Sequence, residues 1–209
     1  ATAFLMVLFT AAVANALVED LTIDAWVDYE PLGEEIEARL DPSVVVLFDD
    51  AVAVDRYRAG YAGYDRFTSE DRLIRTASQI VASPGRVPDD RPFVVAINGP
   101  PLEVAGWAGV EASDRMSLYL PQDPASGQRE AAAILRAFGV ALDAETGSTL
   151  RLAAASLLVE IGELEMACVE VRDAVTGLPG LAELVNARYG RTDLVEALAT
   201  CPGGDPLRT

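Results

Sequence analysis

Arg91-Pro92-Phe93-Val94-Val95-Ala96-Ile97-Asn98-Gly99-Pro100 is an apolar run opened by a proline and closed by Asn-Gly-Pro. Uninterrupted apolar residues over a strand's length read as a strand buried on both faces, stopped by a tight turn. A second run of the same kind, Val44-Val45-Val46-Leu47-Phe48, follows Asp41-Pro42-Ser43 and ends at Asp49-Asp50. Strands that carry no polar alternation are typical of sheets with helices on both sides.

Between these runs, Thr68-Ser69-Glu70-Asp71 is a helix-capping signal, and Leu73, Ile74, Ala77, Ile80 and Val81 recur at helical spacing as far as Ser83. Pro84 to Pro92 reads as a polar turn, and residues 51–67 as a loop with some helix. After Asn98 the pattern predicts irregular chain to Asp114, then a short strand from Met116 to Leu120 ended by Pro121. From Gly127 the chain turns helical: Gln128 to Phe138, about Ser148 to Val175 with Gly162 as a break, Leu178 to Tyr189, and Thr192 to Ala199. Upstream, Glu34 to Leu40 reads as a short helix ended by Asp41-Pro42. The apolar stretch from Ala1 to Val18 has three readings: a core strand from Thr2 to Phe9 followed by a helix capped by Asn15, a signal peptide with Ala14-Asn15-Ala16 as cleavage site, or a membrane anchor. The pattern favours the first. Strands alternating with helices, then helices alone, predict an α/β fold with a helical C-terminal part. One domain is expected over 1–209, with an α/β core to about residue 125 and a helical region from about 126 to 200.

Composition removes several chemistries. All 16 basic residues are arginine, so there is no lysine and no histidine. A Ser-His-Asp triad, a Schiff-base lysine, a P-loop lysine and a histidine-ligated metal are excluded. Acid or base work would fall to carboxylate, tyrosine, cysteine or water. A net charge of −17 argues against nucleic acid, which needs clustered cations. Cys168 and Cys201 stand too far apart in sequence for a disulfide framework or a metal site, so Cys168 is expected as a buried thiol in a reducing cytoplasm. The alanine- and arginine-rich usage suits a GC-rich genome such as an actinomycete's.

Several short motifs occur in a familiar order. Asn15-Ala16-Leu17, Asp41-Pro42-Ser43-Val44-Val45-Val46-Leu47, the run from Arg91 to Pro100, and Leu120-Pro121-Gln122 together resemble the crotonase (enoyl-CoA hydratase/isomerase) superfamily, as a degenerate member. The resemblance is best from about residue 43 to 122. It implies a ββα spiral core, an acyl-CoA ligand, no separate cofactor or metal, and a homotrimer or hexamer. It also implies an oxyanion hole in which two backbone N–H groups hold the thioester oxygen.

Carried over residue by residue, those donors fall on Ala51 and Val104. The family's acid and base glutamates fall on Trp107 and Gln122, neither of which can take the part. Asp49, Asp50 and Glu103 are the carboxylates left to move a proton, although acids at a strand end also act as caps and a turn glutamate is commonly exposed. Trp107, Gln122 and Tyr61 would line the substrate pocket. Arg56 and Arg58 would meet the CoA phosphates, or else form surface ion pairs. The expected function is an acyl-CoA-binding protein: an enoyl-CoA hydratase/isomerase-type enzyme, or an auxiliary subunit beside a polyketide synthase in secondary metabolism. The alternative is a noncatalytic structural or exported subunit whose N-terminal segment is an apolar helix.

Overall fold

The computed structural model describes residues 36, 38–41, 43–49, 74–98, 101–113, 116–123, 125–142, 144–177, 185 and 189–202. In these residues the chain is α/β. Its strands are β1 (Val45–Phe48), β2 (Ile74–Thr76), β3 (Phe93–Asn98), β4 (Trp107–Ser113) and β5 (Met116–Pro121). Its helices are α1 (Ala77–Ala82), α2 (Gln128–Ala141), α3 (Ala144–Glu160), α4 (Leu164–Gly177) and α5 (Thr192–Leu198). The strands form one mixed sheet in the order β2-β1-β3-β5-β4. β1 runs parallel to β2 and β3, with Val46 opposite both Ile74 and Val94, while β5 is antiparallel to β3 and β4.

The two apolar runs become the two central parallel strands because both of their faces are covered. Val45, Leu47, Val95 and Ile97 face one core cluster, and Val46, Phe48, Val94 and Ala96 face the other, as the two-residue period requires. The larger cluster lies under the helices. α3 packs against α1, α2 and α4, and is buried almost all round through Leu152 to Leu158. A helix in that position needs no polar stripe. Arg136 of α2 reaches Glu170 of α4 at 2.7 Å, tying the two helices that flank α3.

Three expectations are corrected. The helix thought to begin before Leu73 begins at Ala77. Ile74–Thr76 is instead an edge strand, and Thr76 caps the helix, its side chain accepting from the Gln79 N–H while Gln79 accepts from the Thr76 N–H. Three strand residues fused to a helix at matching spacing cannot be separated by periodicity. The proposed cap at Thr68 to Asp71 lies outside the described residues, as do residues 1–35 and 51–67. Second, the chain between Asn98 and Asp114 is not all irregular, for β4 occupies Trp107–Ser113. Gly109 within it sits directly against the Tyr119 ring, where a Cβ would approach to 3.1 Å. That packing need explains a residue of poor strand propensity.

The break expected at Gly162 is present: at φ +80° it separates α3 from α4. Third, Cys168 is not a thiol. It is buried as expected, but bonded to Cys201 with the Cα atoms 5.8 Å apart. The C-terminal segment returns past α4, so separation along the chain was no guide to separation in space.

Candidate functional site

Strand order around β1 sets the site. β1 leads to β2 on one side and β3 leads to β4 and β5 on the other, so the chain leaves the C-terminal ends of these two parallel neighbours in opposite directions. In α/β sheets such a switch point opens the crevice where ligands bind. Asp49 follows β1 there, only 4% exposed, and its Oδ2 accepts the Asn98 N–H from the end of β3 at 3.0 Å. The carboxylate thus bridges the two strand ends. Next to it on the sheet face under the helices are Ser117 and Tyr119 of β5, both fully buried.

Burial pushes the Tyr119 phenol above its ordinary value. A hydrogen bond from the Leu102 N–H and another with Ser117 act in the opposite sense, and the Asp49 charge adds to the rise. Tyr119 therefore stays protonated at neutral pH. Its oxygen accepts the Leu102 N–H at 2.6 Å, which pins the loop 101–106 over the sheet edge.

That loop carries Glu103 and Val104. Val104 is half-buried, its carbonyl accepts the Trp107 N–H at 3.1 Å, and its own N–H has no hydrogen-bond partner among the described residues. Gly106, at φ +82°, then turns the chain into β4. Trp107 stacks on Phe93 with ring centroids 5.8 Å apart and meets Phe138 edge-on at 6.4 Å. A hollow lies on each side of this indole. One, of about 750 Å³, is lined by Leu102, Glu103, Val104, Trp107 and Gly109. The other, of about 350 Å³, is bounded by Trp107, Pro121, Asp123, Glu130, Ile134 and Ala137.

The structure therefore brings together Glu103, Val104 and Trp107, while Asp49 is held at the end of β1 by the Asn98 N–H and lines neither hollow. Gln122 is exposed, its N–H donating to the Gly106 carbonyl at 2.9 Å, so it stands beside the turn without lining either hollow. Asp50, Ala51, Arg56, Arg58 and Tyr61 lie outside the described residues. Sequence reasoning missed Ser117 and Tyr119. In Met116-Ser117-Leu118-Tyr119-Leu120 they alternate with aliphatic residues, and that alternation marks one face with a polar pair.

Among the described residues, no group of three or more Cys, Asp or Glu side chains is placed to hold a metal, and no helix is long and apolar enough to cross a membrane. No family model, no curated protein and no solved structure matches the chain.

Proposed function

We propose that the chain is an acyl-CoA-binding protein of the crotonase type, with a ββα spiral core. The observation that carries this reading is the hollow lined by Glu103, Val104 and Trp107. In it the Val104 N–H, with that of Ala51, holds the thioester oxygen. The Trp107 ring takes the acyl chain. Glu103, Asp49 or Asp50 moves the proton, and Arg56 and Arg58 hold the CoA phosphates, while Tyr61 completes the pocket and Gln122 stays outside it beside the Gly106 turn. With Trp107 and Gln122 standing where the family has acids, the protein acts either as a hydratase/isomerase-type enzyme or as a partner of a polyketide synthase. Homotrimeric or hexameric assembly and a cytoplasmic location belong to this reading. Calorimetric titration with acetyl-CoA and with free CoA tests it: saturable binding is expected, and no heat at millimolar ligand refutes it.

A second reading is an exported or structural subunit. The disulfide between Cys168 and Cys201 favours it, since such bonds persist mainly in oxidising compartments. N-terminal sequencing of the native protein separates the two. A mature start at Leu17 supports export and removes the strand expected from Thr2 to Phe9.

A further inference from the structure

Among the described strands β4 is the edge of the sheet opposite β2, and its pairing with β5 decides which of its backbone groups point outward. The Gln122 N–H donates to the Gly106 carbonyl at 2.9 Å, so Gly106 and Gln122 form a hydrogen-bonded pair. In an antiparallel ladder such pairs alternate with non-bonded ones, which places Ala108 with Leu120 and Val110 with Leu118 in the bonded set. Trp107, Gly109 and Glu111 therefore aim their N–H and C=O groups away from β5. The Trp107 N–H is taken by the Val104 carbonyl at 3.1 Å. This leaves the Trp107 C=O, the Gly109 N–H and C=O and the Glu111 N–H along the edge, none with a hydrogen-bond partner among the described residues.

Open edges are ordinarily blunted by proline, by charge, by a bulge or by a cover. From Ala105 to Val110 the chain has no proline and no charged residue, and the bulge comes only between Glu111 and Ser113. Ala108 and Gly109 are exposed. The hollow of about 750 Å³ runs beside this edge, lined by Pro101 to Ala105 from the loop and by Trp107 and Gly109 from the strand. Tyr119 fixes the loop through the Leu102 N–H at 2.6 Å. The Val104 N–H, half-buried and without a partner among the described residues, is a further donor in the same groove. Donors and acceptors set along a groove at a strand's two-residue period are what a second extended chain pairs with.

We infer that β4 and this groove are a docking site for an extended, basic peptide segment of a partner protein, which adds to the sheet as a strand beside β4. Main-chain pairing with Trp107 to Glu111 supplies the affinity, and the hollow beside the strand takes alternate side chains of the segment. Charge selects the occupant. Glu103 lines the groove, Glu111 ends the open stretch, and no cation lines the hollow. A second copy of this chain would bring another −17 to the same edge, whereas a segment carrying Arg or Lys is drawn to it. The inference does not depend on the acyl-CoA reading, because the pairing groups are backbone atoms of β4 that a chain without affinity for CoA still presents.

Selection of a random peptide library displayed on phage against the full chain, followed by synthesis of the consensus peptide, tests it. The consensus should carry Arg or Lys and bind in fluorescence anisotropy with Kd between about 1 and 100 μM. N-methylation along the peptide should alternate in effect: where the N–H faces β4, binding should fall about tenfold or more, and at the residues between it should hold. Glu111→Pro, which removes an outward N–H at an edge position, should weaken binding as much. Glu103→Gln should weaken it severalfold, and because Glu103 is exposed this variant keeps the test valid if Glu111→Pro folds poorly. Glu165→Gln, an equal change of charge at an exposed position of α4, should leave binding as it was. Absence of saturable binding overturns the inference, as does N-methylation of equal effect at every residue or an equal loss in Glu165→Gln. A consensus without cations overturns the assignment to a basic segment. A dimer in sedimentation that the peptide dissociates assigns the edge to a second copy and overturns the partner.

Discussion

Breaking the Cys168–Cys201 bond should destabilise the protein by an amount that follows from the loop it closes. The two residues are 33 apart in sequence. Cross-linking a loop of that length removes roughly 12–13 cal/mol/K of entropy from the unfolded chain, about 4 kcal/mol at 25 °C. For a chain of this size each kcal/mol moves the melting temperature by roughly 2–4 °C, so the loss should reach about 8–16 °C. Both sulfurs are shielded, Cys168 at 1% and Cys201 at 5% exposure. Reductant will therefore act slowly on the folded protein, and the bond should be reduced in denaturant before refolding. Melting followed at 222 nm, with and without reductant, reads the shift. Hydrogen exchange should accelerate most in α5 and the residues up to Pro202, which the bond holds against α4. A shift under about 2 °C in fully reduced protein would refute the argument that the cross-link acts through unfolded-state entropy. Free thiols in the unreduced, denatured protein would refute the bond itself.

Three further outcomes are expected. Tyr119→Phe leaves the Leu102 N–H without its acceptor at a part-buried site, which should cost about 1–2 kcal/mol in urea denaturation and loosen the loop 101–106 in hydrogen exchange; unchanged protection at Leu102 would count against its anchoring role. Glu170 is 2% exposed, and burial lifts its carboxyl above the ordinary 4.5 despite the opposing Arg136 and Arg151 charges. Its folded form binds the proton more tightly than its unfolded form, so stability from this group falls as pH rises from about 4.5 through the raised value. The stability of wild type relative to Glu170→Gln should accordingly increase as pH is lowered from 7 toward 4.5, and a pH-independent difference in urea midpoints would sink the reasoning. Gly147→Ala would place a Cβ 2.5 Å from the Gly139 carbonyl oxygen, forcing α3 from α2 at a cost of about 1–3 kcal/mol by thermal melting. Gly85→Ala, which meets only the end of the Glu160 side chain at 3.2 Å, should cost much less; equal losses would show that the close helix crossing is not what matters.

How far the sequence could be read depended on what each residue answers to. β1 and β3 were legible because two-sided burial writes itself as an unbroken apolar run, and β5 because Pro121 ends it. β4 was not, since Gly109 is chosen for the Tyr119 ring above it rather than for strand propensity. β2 was hidden by its fusion to α1. Asp49 could be suspected as the acid after a buried strand, yet its bond to the Asn98 N–H depends on the parallel pairing of β1 with β3. Tyr119 looked like core and is core, but its oxygen does a second job at the loop.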